Sequence, residues 1–189
     1  IKNGPLTISE QEIRRCKDYF IDPNYEKILD TPKTLTTELH KNVLFKSWYD
    51  QNVDSHKRPG YSIVTVCFKE TGIAPGDITD VQLNLIADLA DEYSLGEVRV
   101  THHQNIVLAN VKQSDLPSLW YRLNRASLST ANLGLLTDMI CCPGGDFCAL
   151  ANAKSLPIAE SIQRQFPDEA ILREIGALRI NISGCMNAC

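Results

Sequence analysis

Tyr61-Ser-Ile-Val-Thr-Val-Cys-Phe68 is the stretch that decides the fold. Its β-branched and aromatic side chains, packed into eight positions after Pro59-Gly60, read as a strand. Thr71-Gly-Ile-Ala-Pro-Gly-Asp77 follows as a loop by its glycines and proline. Thr79 and Gln82 then form a capping box that opens a helix. Val81, Leu85, Ile86, Leu89, Ala90 and Tyr93 share one face of it, and Gly96 ends it. Residues 97–101 and 105–111 are two β segments flanking His102-His103-Gln104. Ser114 is the expected cap of a second helix, with Pro117 in its first turn and Leu116, Leu119, Trp120 and Leu123 apolar. The order β-α-β-β-α over residues 61–124 is an α+β unit, half of a ferredoxin-like layer.

On the amino-terminal side, Ser9 to Glu12 is a second capping-box pattern. It starts a helix with Ile13, Cys16, Tyr19 and Phe20 on one face, where Cys16 is expected as a small buried hydrophobe. Residues 21–57 are poorly periodic, with a helix expected over 39–52. On the carboxyl side, 126–134 is a small-residue linker and 135–140 a short apolar run. A helix is expected over 155–166 and a strand over 178–183. Three segments result: a helical lead-in over 1–56, the ferredoxin-like half over 57–125, and a third domain over 126–189 that ends on Cys189. The span is therefore expected to be a piece of a longer polypeptide, truncated at its carboxyl end.

A formal net charge of −4, with no basic run carrying interleaved aromatics, argues against a nucleic-acid partner. No run approaches the roughly 20 apolar residues of a membrane helix, and the first 20 residues hold no signal-peptide core, so a cytoplasmic protein is expected. Of seven cysteines, Cys16 and Cys67 stand alone, while Cys141, Cys142, Cys148, Cys185 and Cys189 crowd the last quarter. Such crowding points to a metal site rather than a disulfide scaffold.

Cys142-Pro-Gly-Gly-Asp-Phe-Cys148 is followed 37 residues later by Cys185-Met-Asn-Ala-Cys189. Four thiolates complete a [4Fe–4S] cube, and glycine lets both loops crowd it. Zinc also takes four thiolates, usually from tighter pairs, so spacing alone leaves both metals open. Gly184-Cys-Met-Asn-Ala-Cys189 resembles the Gly-Cys-x-Asn-x-Cys signature of the sirohaem nitrite and sulfite reductases. Cys142 to Cys148 resembles that family's first cysteine pair, and Arg99-Val-Thr-His-His-Gln-Asn105 its Arg-x-Thr-x-x-Gln-Asn strand-turn. The three motifs stand in the family's order over residues 57–189 and match the second of its two related halves.

The resemblance implies that Cys142, Cys148, Cys185 and Cys189 ligate a [4Fe–4S] cluster, with Cys189 bridging to a sirohaem and Asn187 close to the macrocycle. It implies that Arg99, Thr101, Gln104 and Asn105 face the cofactor region. It also implies an enzyme that reduces sulfite or nitrite by six electrons, fed by ferredoxin or a flavoprotein, with this chain packed against the first half. Cys141 is an extra thiol and is not expected to ligate. The family's Lys-x-Lys pair is absent from this sequence, and its first-half arginines lie outside the span, so the span alone is expected to be inactive. A stand-alone iron–sulfur carrier and a zinc- or disulfide-stabilised binding module are the competing classes. His102 and His103, adjacent on an extended segment, are expected on opposite faces. Lys57 and Arg58 read as a solvated loop, and Met186 as a packing residue.

Overall fold

The computed structural model describes residues 7–21 and 23–188. The first five helices and four strands run α1 (Glu10–Asp18), α2 (Lys33–Lys41), α3 (Val43–Asn52), β1 (Val53–Ser55), β2 (Tyr61–Val66), α4 (Asp80–Tyr93), β3 (Val98–Val100), β4 (Ile106–Lys112) and α5 (Leu116–Arg125). Then come β5 (Ile140–Cys141), a 3₁₀ turn (Gly144–Asp146), α6 (Leu156–Gln165), α7 (Glu169–Ile175) and β6 (Asn181–Ile182). Strands β1-β2-β4-β3 form one antiparallel sheet, and β5 and β6 pair in parallel as a second, minimal one. The expected β-α-β-β-α order is that of β2, α4, β3, β4 and α5.

The core lies between this sheet and its helices. Val64, Val66 and Leu108 of the central strands meet Ile86 and Leu89 of α4, Leu119 and Leu123 of α5, and Phe45 and Trp48 of α3. The Thr79–Gln82 box closes reciprocally: Thr79 Oγ1 accepts from the Gln82 N–H at 3.2 Å, and the Gln82 side chain accepts from the Thr79 N–H at 3.1 Å.

Several expectations need correction. The helix expected over 39–52 is two helices, broken at Asn42, whose side chain turns to accept the Phe45 N–H and so caps α3. Helix α1 forms, but it buries none of its residues: Cys16 is exposed, and Phe20, just past its end, is 86% exposed. Val81 lies in the first turn of α4 and is exposed. Asp115, not Ser114, occupies the cap of α5, and no side chain bonds its first amides. The strand over 178–183 shortens to Asn181–Ile182, since only β5 is there to pair with it. β1 and α7 were not expected at all. No described helix is long and apolar enough to cross a membrane.

Candidate metal centre

Strand β5 delivers the first cysteines. Its register against β6 is Ile140↔Asn181 and Cys141↔Ile182, and the Cys142 N–H extends the pairing to the Ile182 carbonyl at 3.1 Å. Alternation along the strand sends the neighbouring thiols to different surroundings. Cys141 is 1% exposed beside Met139 and Ala159. Burial first, and then the adjacent Cys142, push its thiol up to about 11. Cys142 faces the other way. Its sulfur lies 3.4 Å from Ser155 Oγ and accepts the Gly184 N–H at 3.1 Å. These bonds, Ser155 foremost, hold its pKa below the usual thiol value and favour the thiolate, the form that ligates metals.

Gly184 precedes Cys185, so that N–H···S bond ties the two cysteine motifs together. The knitting is tight. The Gly184 carbonyl accepts from the Asn152 and Ala153 N–H groups at 2.9 and 3.1 Å, and the Ala153 carbonyl accepts from Gly145 at 2.9 Å. A Cβ on Gly184 would stand 2.7 Å from the Ala153 oxygen and 2.8 Å from Gly144 Cα; one on Gly144, at φ +61, would stand 2.8 Å from the same oxygen. Only glycine fits at either position. Cys148 is exposed and Cys185 half-buried. Among the described residues no three His, Cys, Asp or Glu side chains stand ready-grouped around a metal position. Cys189, the expected fourth ligand, lies outside the described residues. The donor set fits an iron–sulfur cluster in its chemistry: a thiol whose pKa is lowered by its hydrogen bonds, two further thiols that are exposed or half-buried, and glycines where side chains would obstruct.

The Arg99–Asn105 motif goes mostly to internal bonds. Arg99 pairs with Glu97 at 2.5 Å on the exposed strand β3. Thr101 closes the turn: its hydroxyl donates to the Asn105 carbonyl at 3.1 Å and accepts from the His103 and Asn105 N–H groups at 3.3 and 3.2 Å. Gln104 reaches across to β5, donating to the Cys141 carbonyl at 2.8 Å and accepting the Cys141 N–H at 3.0 Å. Asn105, buried, accepts from the Phe68 N–H and donates to Asp138 at 2.9 Å.

Two residues that the sequence did not single out anchor this turn. Lys69 Nζ, with its side chain 0% exposed, donates to the His103 carbonyl (2.7 Å), to Asn105 Oδ1 (2.8 Å) and to Asp138 Oδ1 (3.1 Å). Asp138 also accepts the Gly134 N–H at 2.9 Å and the Cys67 thiol at 3.3 Å. A buried charge persists only when paired and fully hydrogen-bonded, and this one is. Burial, then Asp138, holds the Cys67 thiol well above its usual range, and Cys67 belongs to this buried network. Signals existed: a lysine directly continuing an apolar strand, and a single aspartate inside the apolar run 135–140.

His102 and His103 do not point apart. They sit on the turn rather than on a strand, and their rings lie tilted at 42° with centroids 3.8 Å apart. Burial first, then His102 and Arg179, lower the His103 pKa. Thr101, His103, Asn105 and Arg179 line a cleft of about 230 Å³ beside Asp138, which Arg99 and Gln104 do not enter. Met186 is 94% exposed rather than packed, and Asn187 is exposed beside it. Lys57 and Arg58 are exposed, the latter with its guanidinium 5.4 Å from the Tyr25 ring centre.

Residues 57–126 match the model of the nitrite/sulfite reductase ferredoxin-like half domain. The ferredoxin–nitrite reductase of Betula pendula is 29% identical over 79% of this chain and 25% of its own length. That of Zea mays is 36% identical over 55% of this chain and 18% of its own. A ferredoxin sulfite reductase of Mycolicibacterium paratuberculosis is 26% identical over 62% of this chain and 22% of its own. The chain thus spans about a quarter of the length of the curated relatives it matches. The solved NirA protein of Mycobacterium tuberculosis superposes with a TM-score of 0.58 over 73% of this chain and 25% of its own, at 24% identity, a likeness of fold.

Proposed function

We propose, for a chain that belongs to the nitrite/sulfite reductase family through its ferredoxin-like half domain, that it is the part of such an enzyme that holds a [4Fe–4S] cluster against a sirohaem. One observation carries the reading: the Gly184 N–H, one residue before Cys185, donates to the sulfur of Cys142. Residues 42 positions apart, one in each motif's segment, therefore meet at the Cys142 sulfur. Cys142, Cys148, Cys185 and Cys189 would hold the cluster, and Cys189 and the exposed Asn187 would serve the sirohaem. The cluster and the sirohaem supply electron storage and the six-electron reduction of the anion.

What this chain's own residues do is narrower. Gly144 and Gly184 leave the room, and hydrogen bonds from Ser155 and Gly184 lower the Cys142 pKa and so favour its thiolate. Buried Cys141 remains a neutral thiol outside the ligand set. Thr101, Gln104 and Asn105 serve the cofactor region from behind, by fixing the turn that backs β5, while Arg99 is tied to Glu97 at its exposed edge. The substrate is an oxyanion of the nitrite or sulfite class, and the donor is a ferredoxin, as the relatives' names have it. The cations that bind the anion lie in the partner half of the polypeptide, and the whole works in the cytoplasm. The test is an optical spectrum and a reductase assay of the full-length protein with both anions. Soret and red bands with turnover of one anion support the reading. A colourless protein that binds zinc contradicts it.

A further inference from the structure

Cys141 and Cys142 are the same chemical group at adjacent positions, so their register alone decides which of them meets the cluster. Resting on the cluster reading above, we infer that Gln104 is a positioning residue that selects Cys142 over Cys141. β5 is two residues long, and β6 grips only one of its edges. The opposite edge is held by the Gln104 side chain, which bonds both the N–H and the carbonyl of Cys141 as a neighbouring strand would. This two-point grip exists in one register. The amides of Ile140 and Cys142 point to the other edge, at the Ile180 and Ile182 carbonyls. A slip by one residue would exchange the two thiols between core and loop.

Gln104 is itself immobilised. Its backbone is left-handed, at φ +58. Its own carbonyl accepts from Lys69 at 3.3 Å, and Gly76 packs so closely on its side chain that a Cβ there would stand 3.0 Å from Gln104 Cβ. The clamp is therefore fixed to the ferredoxin-like half and aims the cysteine loop from it.

Gln104→Gly in the full-length protein removes the clamp and suits the left-handed backbone, so the turn survives. Iodoacetamide labelling of the metal-free protein, read by mass spectrometry, follows each thiol. The wild type labels at Cys142 and protects Cys141. In Gln104→Gly, Cys141 labelling rises about tenfold for the two lost hydrogen bonds, and the reduced cluster of the loaded protein gives a second electron paramagnetic resonance signal. Gln104→Glu, which still accepts the Cys141 N–H but cannot donate to its carbonyl, falls between. An unchanged ratio of Cys141 to Cys142 labelling overturns the inference. So does a rise in Cys67 labelling in step with Cys141, which reports general unfolding. The labelling needs no cluster, so failure of the cluster reading is seen separately, as wild type without iron.

Discussion

In the ferredoxin-like half, strands of six and seven residues bring Val64, Val66 and Leu108 into one apolar core under α4 and α5. In the cysteine region, two strands of two residues each are joined by glycine contacts, a thiol hydrogen bond and two small clusters around Leu136 and Met139. The first region gains its stability from apolar burial, which tolerates small changes of shape. The second depends on close backbone approach and on polar bonds from its neighbour, which do not.

The sharpest way to break this contrast is Gly184→Ala. Its Cβ would meet backbone atoms at 2.7 and 2.8 Å, neither of which can swing away. A cost above about 4 kcal/mol is expected, confined to residues 127–188. Hydrogen exchange should show those amides unprotected while β2 and β4 stay slow. Uniform protection across the chain would dissolve the distinction between the regions.

The next test cuts the bridge between them. Lys69→Ala leaves Asp138 buried without its cation and should cost about 3–5 kcal/mol by denaturant unfolding. Lys69→Met combined with Asp138→Leu should recover much of that loss, since desolvating the pair is itself costly. Leu108→Ala, at 0% exposure in the shared core, should cost about 2–5 kcal/mol and lower the sheet's transition without changing iron bound per folded molecule.

The smallest effect is that of pH at the junction. His103 has a lowered pKa in the fold, so the unfolded chain takes up its proton first as pH falls through about 6.5. Stability should therefore be greatest above that value and decline below it. His103→Gln should flatten this slope in thermal melts, and an unaltered slope would remove His103 from the account.

The two regions also differed in how much the sequence disclosed. β2, α4, β4 and α5 were legible because their apolar positions recur with the period of the element that buries them, and Thr79 and Gln82 marked a start that closes as a real box. The same reading failed at α1, where the period is present but none of the helix's residues is buried among the described ones. Periodicity reports what could be buried, not whether a partner is present. β1 escaped because three residues at a sheet edge carry almost no pattern. In the cysteine region the motifs stood out through a resemblance, but the residues that support them did not. Lys69 and Asp138 lie 69 positions apart, and no local rule pairs them. Gln104 was noticed as part of a motif, yet its grip on Cys141 emerges only once the β3–β4 turn and β5 are side by side.

The proposal stands or falls on whether the tied cysteine motifs hold a [4Fe–4S] cluster through Cys142 and not Cys141. Iron and acid-labile sulfide, measured on anaerobically purified full-length protein and its two serine variants, test it most directly. About four of each per chain are predicted in the wild type and in Cys141→Ser, with neither retained in Cys142→Ser. Zinc without sulfide in the wild type, or a loaded Cys142→Ser beside an empty Cys141→Ser, would contradict it.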